Sequence, residues 1–205
     1  MLRDLLARPE VTEVCELRSS FGIMAFHGGN LERCTDVIAT EVAARTDASL
    51  YTVVQAPPLR QHIPSTAFDP EHSEALAGFV GHVDVVIAIH GYGRKDRFWD
   101  LLLGGRNRAL ATHVGDHLRG GIDERFGIVD RLDEIPKGLR GQHPANPVNL
   151  PSQAGVQIEL PPTSRWNRDE AEWSDWLGTG RAPQVEQLID VLSQAVDSWA
   201  PPAEP

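Results

Sequence analysis

Apolar residues gather in four short runs along the chain: Phe21 to Phe26, Leu50 to Val54, Val83 to Ile89 and Val156 to Leu160. Each run is rich in branched or aromatic side chains and ends at turn residues, the pattern of a strand. Within a run the apolar character is nearly continuous rather than alternating, so both faces are expected to be covered, as in a parallel or mixed sheet. Between the runs the apolar spacing lengthens to that of a helix. Leu31, Cys34, Ile38 and Val42 recur at helical spacing behind Asn30, which reads as the N-cap. Glu71 to Val80 and Arg108 to Leu118 predict two further helices, and Val185, Leu188, Leu192, Val196 and Trp199 form the apolar stripe of a C-terminal one. Strands alternating with helices predict an α/β three-layer sandwich with a mixed, largely parallel sheet.

The segment Arg131 to Gln153 departs from both periods. It interleaves Pro136, Pro144, Pro147 and Pro151 with Gly138, Gly141, Asn146 and Asn149, and predicts one long loop. A loop of that length in a compact domain usually serves function, and this one leads into the strand that carries Glu159. Trp166, Trp173 and Trp176 are expected to pack on the sheet surface. Residues 1–20 read as a lead-in, residues 200–205 as a frayed tail, and residues 1–205 together as a single domain.

Composition narrows the function classes. The chain has 205 residues, 41% hydrophobic and 23% charged, which is ordinary for a soluble globular protein. Its net charge of -10 argues against broad affinity for nucleic acid, which needs clustered Lys and Arg. Cys15 and Cys34 are too few for a disulfide framework. No run approaches the roughly 20 apolar residues of a membrane span, and the N-terminal residues are too charged for a secretory signal. The expected compartment is the cytoplasm, with no membrane and no nucleic-acid partner; the sequence leaves the oligomeric state open.

Three pieces carry chemistry. His27 and Glu32 lie in His27-Gly28-Gly29-Asn30-Leu31-Glu32, His90 ends a strand, and Glu159 lies inside Gly155-Val156-Gln157-Ile158-Glu159-Leu160. Two imidazoles and a carboxylate can hold zinc and leave a position open for water. A separate carboxylate can then act as the base. Taken singly, a strand-end histidine is ordinarily a structural residue and Glu32 a solvated carboxylate. A glutamate within an apolar strand is harder to dismiss, because burying it without a partner is costly. His113 and His117 are four apart on a predicted helix, but no HExxH-type carboxylate accompanies them, and they read as a solvated face.

In the order and spacing of these pieces the chain resembles the poly-γ-glutamate hydrolase family. The resemblance runs from about Gly22 to Arg165. It rests on His27 to Glu32, His62-Ile63-Pro64-Ser65, Ile89-His90-Gly91, Leu103-Gly104-Gly105-Arg106-Asn107, Gly141 to Asn146, Gly155 to Leu160, and Arg165. The resemblance implies a carpet of properties: a zinc-carboxypeptidase-like fold, Zn2+ as cofactor, His27, Glu32 and His90 as its ligands, and Glu159 as general base. It further implies a γ-glutamyl or other peptide-like substrate, small or polymeric. Recognition of carboxylates calls for arginine, and the candidates are Arg94, Arg106, Arg108 and Arg165, with Asn107, His62 and Ser65 lining the cleft. Arg106-Asn107 reverses the order of the asparagine-arginine clamp of carboxypeptidases, and a charge of -10 opposes encounter with a polyanion unless the cleft is locally basic. Two other functions remain open to the sequence: deacylation of small N-acyl amino acids, and a non-enzymatic phage-associated binding role.

Overall fold

The structure, a computed structural model, describes residues 1–201. The elements run α1 (Leu2–Leu6), β1 (Val11–Glu16), β2 (Phe21–Gly29), α2 (Thr35–Thr46), β3 (Ser49–Gln55), α3 (Glu74–His82), β4 (Val85–Gly91), β5 (Asp100–Leu103), α4 (Arg108–Gly121), β6 (Gly127–Val129), β7 (Gly155–Leu160), β8 (Trp166–Asn167), β9 (Glu172–Trp173) and α5 (Pro183–Asp197). Seven strands form one sheet in the order β1-β3-β2-β4-β7-β5-β6. Its centre, β3-β2-β4-β7, is parallel; β1 and β5 join antiparallel, and β6 runs parallel to β5. The α/β sandwich with a mixed, mostly parallel sheet is therefore as the sequence implies. Among the described residues no helix is long and apolar enough to cross a membrane.

Strand alternation divides the core in two. Ile23, Ala25, Ile87, Ile89, Val156 and Ile158 face α2, α4 and α5, whose Ile38, Val42, Leu110, Val114, Leu188 and Leu192 are buried in the same cluster. Met24, Phe26, Val86 and Ala88 face the opposite way, against Leu2 and Leu5 of α1 and Leu76 and Phe79 of α3. Each fully buried aliphatic or aromatic side chain contributes roughly 1.5–3 kcal/mol relative to exposure. By the same alternation Gln157 and Glu159 lie on the second face, in place of the apolar residues that would otherwise fill it.

Several boundaries differ from the sequence reading. Residues 1–20 are not a bare lead-in: Leu2 and Leu5 are fully buried, and β1 pairs along its whole length with β3. The intermediate burial of β1 explains why no apolar run announced it. The short β5 and β6 were likewise hidden by their length. Asn30 does not cap a helix. Its backbone N–H donates to the Gln55 carbonyl at 2.7 Å and its side chain to the Leu59 carbonyl at 2.9 Å. The chain first closes a turn, and α2 begins only at Thr35, after Cys34 in the left-handed region at φ 74°. The 131–153 segment is a connection, but it includes two 3-10 turns, Lys137–Leu139 and Pro147–Asn149. Trp166 and Trp173 pair across β8 and β9 with ring centroids 5.3 Å apart. The frayed tail expected at 200–205 lies outside the described residues from position 202 onward.

Candidate metal centre

The strands β2, β4 and β7 end side by side, and in such sheets the region beyond the carboxyl ends is where ligands bind. His90 and Glu159 are register partners on adjacent parallel strands, so their side chains emerge on one face. His27 reaches that face by a different device. The β2–β3 register slips between Ala25 and Gly28. Two successive residues, Phe26 and His27, thereby meet the same Phe68 ring, at centroid distances of 4.8 and 5.6 Å. An irregularity of this kind re-aims a side chain that strict alternation would send to the opposite face. The His27 and His90 rings come to 5.2 Å of each other.

Glu32 sits in the turn before α2, not in its first helical turn. Its backbone N–H donates to the His27 carbonyl at 2.8 Å, and its own carbonyl accepts from the Thr35 hydroxyl at 2.7 Å. Gly29, at φ +67°, makes the turn possible, since a Cβ there would lie 2.4 Å from the Gln55 carbonyl oxygen. The turn places the Glu32 carboxylate between the two imidazoles. Oε1 stands 2.8 Å from His27 Nδ1, and Oε2 accepts from Gly91 N–H at 2.9 Å and lies 3.4 Å from His90 Nδ1. His62 closes the group from the other side, its ring 4.8 Å from that of His27. Ligand atoms of His27, Glu32 and His62 lie within 4.8 Å of one another. His90 meets this trio through Glu32.

Hydrogen-bond accounting at this cluster leaves a place for a cation. The Ile63 carbonyl, 2.9 Å from His27 Nε2, can only accept, so Nε2 carries the hydrogen. In the neutral imidazole Nδ1 then presents a lone pair to a carboxylate oxygen, an acceptor-to-acceptor contact that either a second proton on the ring or a metal cation resolves. A histidine held by a carbonyl through its far nitrogen is also the usual support of a metal ligand. His90 Nε2 is buried with no partner. Exposure is 2% for His27 and 3% for His90, so neither ring owes its place to solvent. A carboxylate with two imidazoles is a donor set that suits zinc.

The electrostatics separate the two glutamates. Burial pushes the Glu32 carboxyl up, but the His27 and His90 imidazoles outweigh it and hold the group well below the usual carboxylate range. Burial dominates at Glu159 and raises it to about 7, despite His90. The two carboxyls of one site are thus driven in opposite directions by their surroundings. Burial pulls His90 down, and the Glu32 carboxylate more than offsets it, leaving His90 raised. His62, more open, is lowered by burial and by His27.

Glu159 is held by an amide relay. Gln157 Nε2 donates to Glu159 Oε1 at 2.8 Å, and Asn146 Nδ2 donates to Gln157 Oε1 at 2.8 Å. All three residues are buried. Sequence reasoning missed Gln157 and Asn146. The signal for Gln157 was available, because a residue two before Glu159 on a strand shares its face; Asn146 ends the Gly141 to Asn146 segment of the resemblance, which marked the segment but gave the residue no role.

The remaining candidates divide. Arg165 is 4% exposed, lies over the Trp173 ring at 5.2 Å, and donates to the Arg33 carbonyl. Its guanidinium packs against Gly91, where a Cβ would meet it at 2.8 Å. Burial pulls it down, opposed by Cys34 and by the Glu32 and Glu159 carboxylates. It is a buried cation behind the cluster. Ser65 begins a 3-10 turn, Ser65–Ala67, that immediately follows His62 to Pro64. Arg106 and Asn107 are not brought to the cluster. Asn107 is the N-cap of α4, accepting from Leu110 N–H at 2.9 Å, and its own N–H donates to Gly155, at the far end of β7 from Glu159. Arg106 is exposed beside Asn149, and Arg108 donates to the carbonyls of Leu103, Gly104 and Gly105. Arg94 is exposed in the segment after β4.

Known proteins are similar to this chain in fold and in sequence. A bacteriophage poly-gamma-glutamate hydrolase structure superposes with a TM-score of 0.77 at 20% identity, covering 95% of this chain and 92% of that one. The zinc-free apo structure of YndL superposes with a TM-score of 0.71 at 21% identity, covering 92% of this chain and 90% of that one. The SPbeta prophage-derived UPF0714 protein YoqZ of Bacillus subtilis strain 168 is 31% identical over 148 residues, 72% of this chain and 50% of YoqZ. The chain thus spans about half the length of the curated relatives it matches. The profile of one family, poly-gamma-glutamate hydrolase, matches residues 6–170, a span that takes in His27, Glu32, His90 and Glu159. The chain belongs to the poly-gamma-glutamate hydrolase family.

Proposed function

We propose that the chain is a zinc-dependent hydrolase of γ-glutamyl amide bonds, with His27, Glu32 and His90 as metal ligands, His62 at the rim of the same site, and Glu159 as general base. The observation that carries this reading is the placement of the Glu32 carboxylate between two imidazoles, with Glu159 on the next strand in register with His90. Zinc bound there would supply a Lewis acid that acidifies water and polarises a carbonyl.

The protein's own groups do the rest. Glu159 accepts a proton from the attacking water and delivers it to the leaving nitrogen, so the amide breaks to an acid and an amine without a covalent enzyme intermediate. Burial raises Glu159, to about 7 in the metal-free protein, which favours its return of the proton to the leaving nitrogen. Gln157 and Asn146 hold the carboxylate in one orientation. The Ile63 carbonyl fixes the tautomer of His27, and Gly91 N–H anchors the second oxygen of Glu32. Arg165 balances the two carboxylates from behind.

Hydrolysis of a γ-linked oligoglutamate by the zinc-loaded protein tests the reading. Glu159→Gln is expected to retain zinc and lose activity by at least about 1,000-fold, in the range of a lost proton carrier. Turnover by Glu159→Gln at the wild-type rate would remove the base assignment.

A further inference from the structure

A cleft of about 530 Å³ opens beside the cluster, lined among others by Ser65, Lys137, Arg140, His143, Asn146 and Gln157. It is connected to the proposed reaction centre through supporting residues. Gln157 is the residue that holds Glu159, and Asn146 is the residue that holds Gln157. Ser65 follows two residues after Ile63, whose carbonyl holds His27. The cleft is thus the space next to the residues that support the reaction centre, and its volume suits one small substrate residue.

The charge of the lining is unlike the rest of the chain. The protein carries a net charge of -10, yet no Asp or Glu lines the cleft, while Lys137 and Arg140 do. Arg131, earlier in the same connection, is neutralised by Asp133 and Glu134. Among the described residues, neither Lys137 nor Arg140 has a carboxylate within the 4.0 Å of an ion pair. Arg140 is instead held by backbone, with Nε donating to the Ile135 carbonyl at 2.8 Å and Nη2 reaching the Asp133 carbonyl at 3.4 Å. These bonds occupy the Nε side of the guanidinium and fix its plane, leaving Nη1 without a hydrogen-bond partner among the described residues and able to donate to an anion.

We propose that this cleft is a carboxylate-recognition subsite, in which Arg140 and Lys137 take the free α-carboxylate of the γ-linked residue next to the scissile amide. The inference rests on the hydrolase reading above and adds to it which residues read the substrate. It also places local positive charge where an acidic protein must receive an acidic substrate.

Binding of γ-linked triglutamate and of its α-carboxamide analogue, measured by calorimetry on zinc-loaded protein in the Glu159→Gln background, tests the assignment. The triglutamate is expected to bind at least about tenfold more tightly than the analogue, in keeping with a charge-assisted pair. Adding Arg140→Gln should erase most of that preference. Lys137→Met, at an exposed position, should reduce it about threefold without disturbing the loop that Arg140 helps to hold. Equal affinity for the two ligands, no binding of triglutamate, or an undiminished preference in both variants would each overturn the subsite. Parallel assays with active protein separate the two readings. Triglutamate that binds through Arg140 and Lys137 but is never cleaved upholds the subsite and removes the hydrolase. Cleavage at an unaltered KM in both variants removes the subsite and leaves the hydrolase standing.

Discussion

Gln157 donates its side-chain amide to the Glu159 carboxylate at 2.8 Å, from the same face of the same strand. The pair explains how a carboxylate 5% exposed stays oriented without an ion pair of its own. Replacing Gln157 with Leu removes a hydrogen bond that favours ionised Glu159, so Glu159 should titrate higher. We expect kcat to fall about 10- to 100-fold, as for other supporting-residue losses, with a smaller change in KM. The acid limb of the pH–kcat profile should move to higher pH. A pH–rate profile in which kcat falls but the limb stays fixed would assign Gln157 to packing alone.

The same carboxyl predicts how the zinc-free protein responds to pH. Burial raises Glu159 from 4.5 to about 7, so its ionisation is opposed in the fold. Below about pH 4 the group is protonated folded or unfolded and has no effect. As pH rises through 4.5 the unfolded chain ionises first, and the penalty grows until about pH 7, where it levels off near 3 kcal/mol. Chelator-treated Glu159→Gln should therefore be more stable than chelator-treated wild type at pH 8, by up to about 3 kcal/mol, with the gap closing toward pH 4. Urea unfolding of both proteins at the two pH values measures it; a gap that is constant with pH contradicts the placement of Glu159.

Gly91 ends β4 against the Arg165 guanidinium, with which an added Cβ would clash at 2.8 Å. The guanidinium is stacked on Trp173 and buried, so it has little room to give way. Gly91→Ala should lower stability by about 1–3 kcal/mol, the ordinary range of overpacking. Arg165 would be displaced from behind Glu32 and Glu159, and activity should fall further than stability accounts for. Thermal unfolding with kcat measured well below Tm separates the two effects.

His62 and His90 differ in what surrounds them. His90 is buried with one nitrogen unpartnered, whereas His62 is exposed at the rim. Zinc affinity by competition with a chromogenic chelator should fall at least about 100-fold in His90→Ala and no more than about tenfold in His62→Ala, the difference between a ligand and a supporting residue. The reverse order would make His27, Glu32 and His62 the ligand set.

The central strands and most helices were legible because their apolar runs are long and buried on both faces, as at Val85 to Ile89 and Val156 to Leu160. The edge strand β1 was not, since its residues are only partly buried. His27, Glu32, His90 and Glu159 stood out as chemistry-bearing residues at or within the apolar runs, with their roles implied by the resemblance, but the way His27 is aimed could not be read. It depends on a register slip against β3, a non-local event. Arg106 and Asn107 were cleft candidates although their order reverses that of the carboxypeptidase clamp, and the fold uses Asn107 to cap α4. Lys137, Arg140 and Asn146 come from a connection with no period to interpret, and only the folded loop sets them beside Gln157.

Zinc titration of the metal-free protein beside Glu32→Gln tests the account most directly, because Glu32 is the group that joins His27 to His90. The account predicts one zinc per chain in wild type and an affinity at least about 100-fold weaker in Glu32→Gln, the scale of losing a charged ligand. No zinc uptake by the folded wild type, or equal affinity in the two proteins, would contradict it.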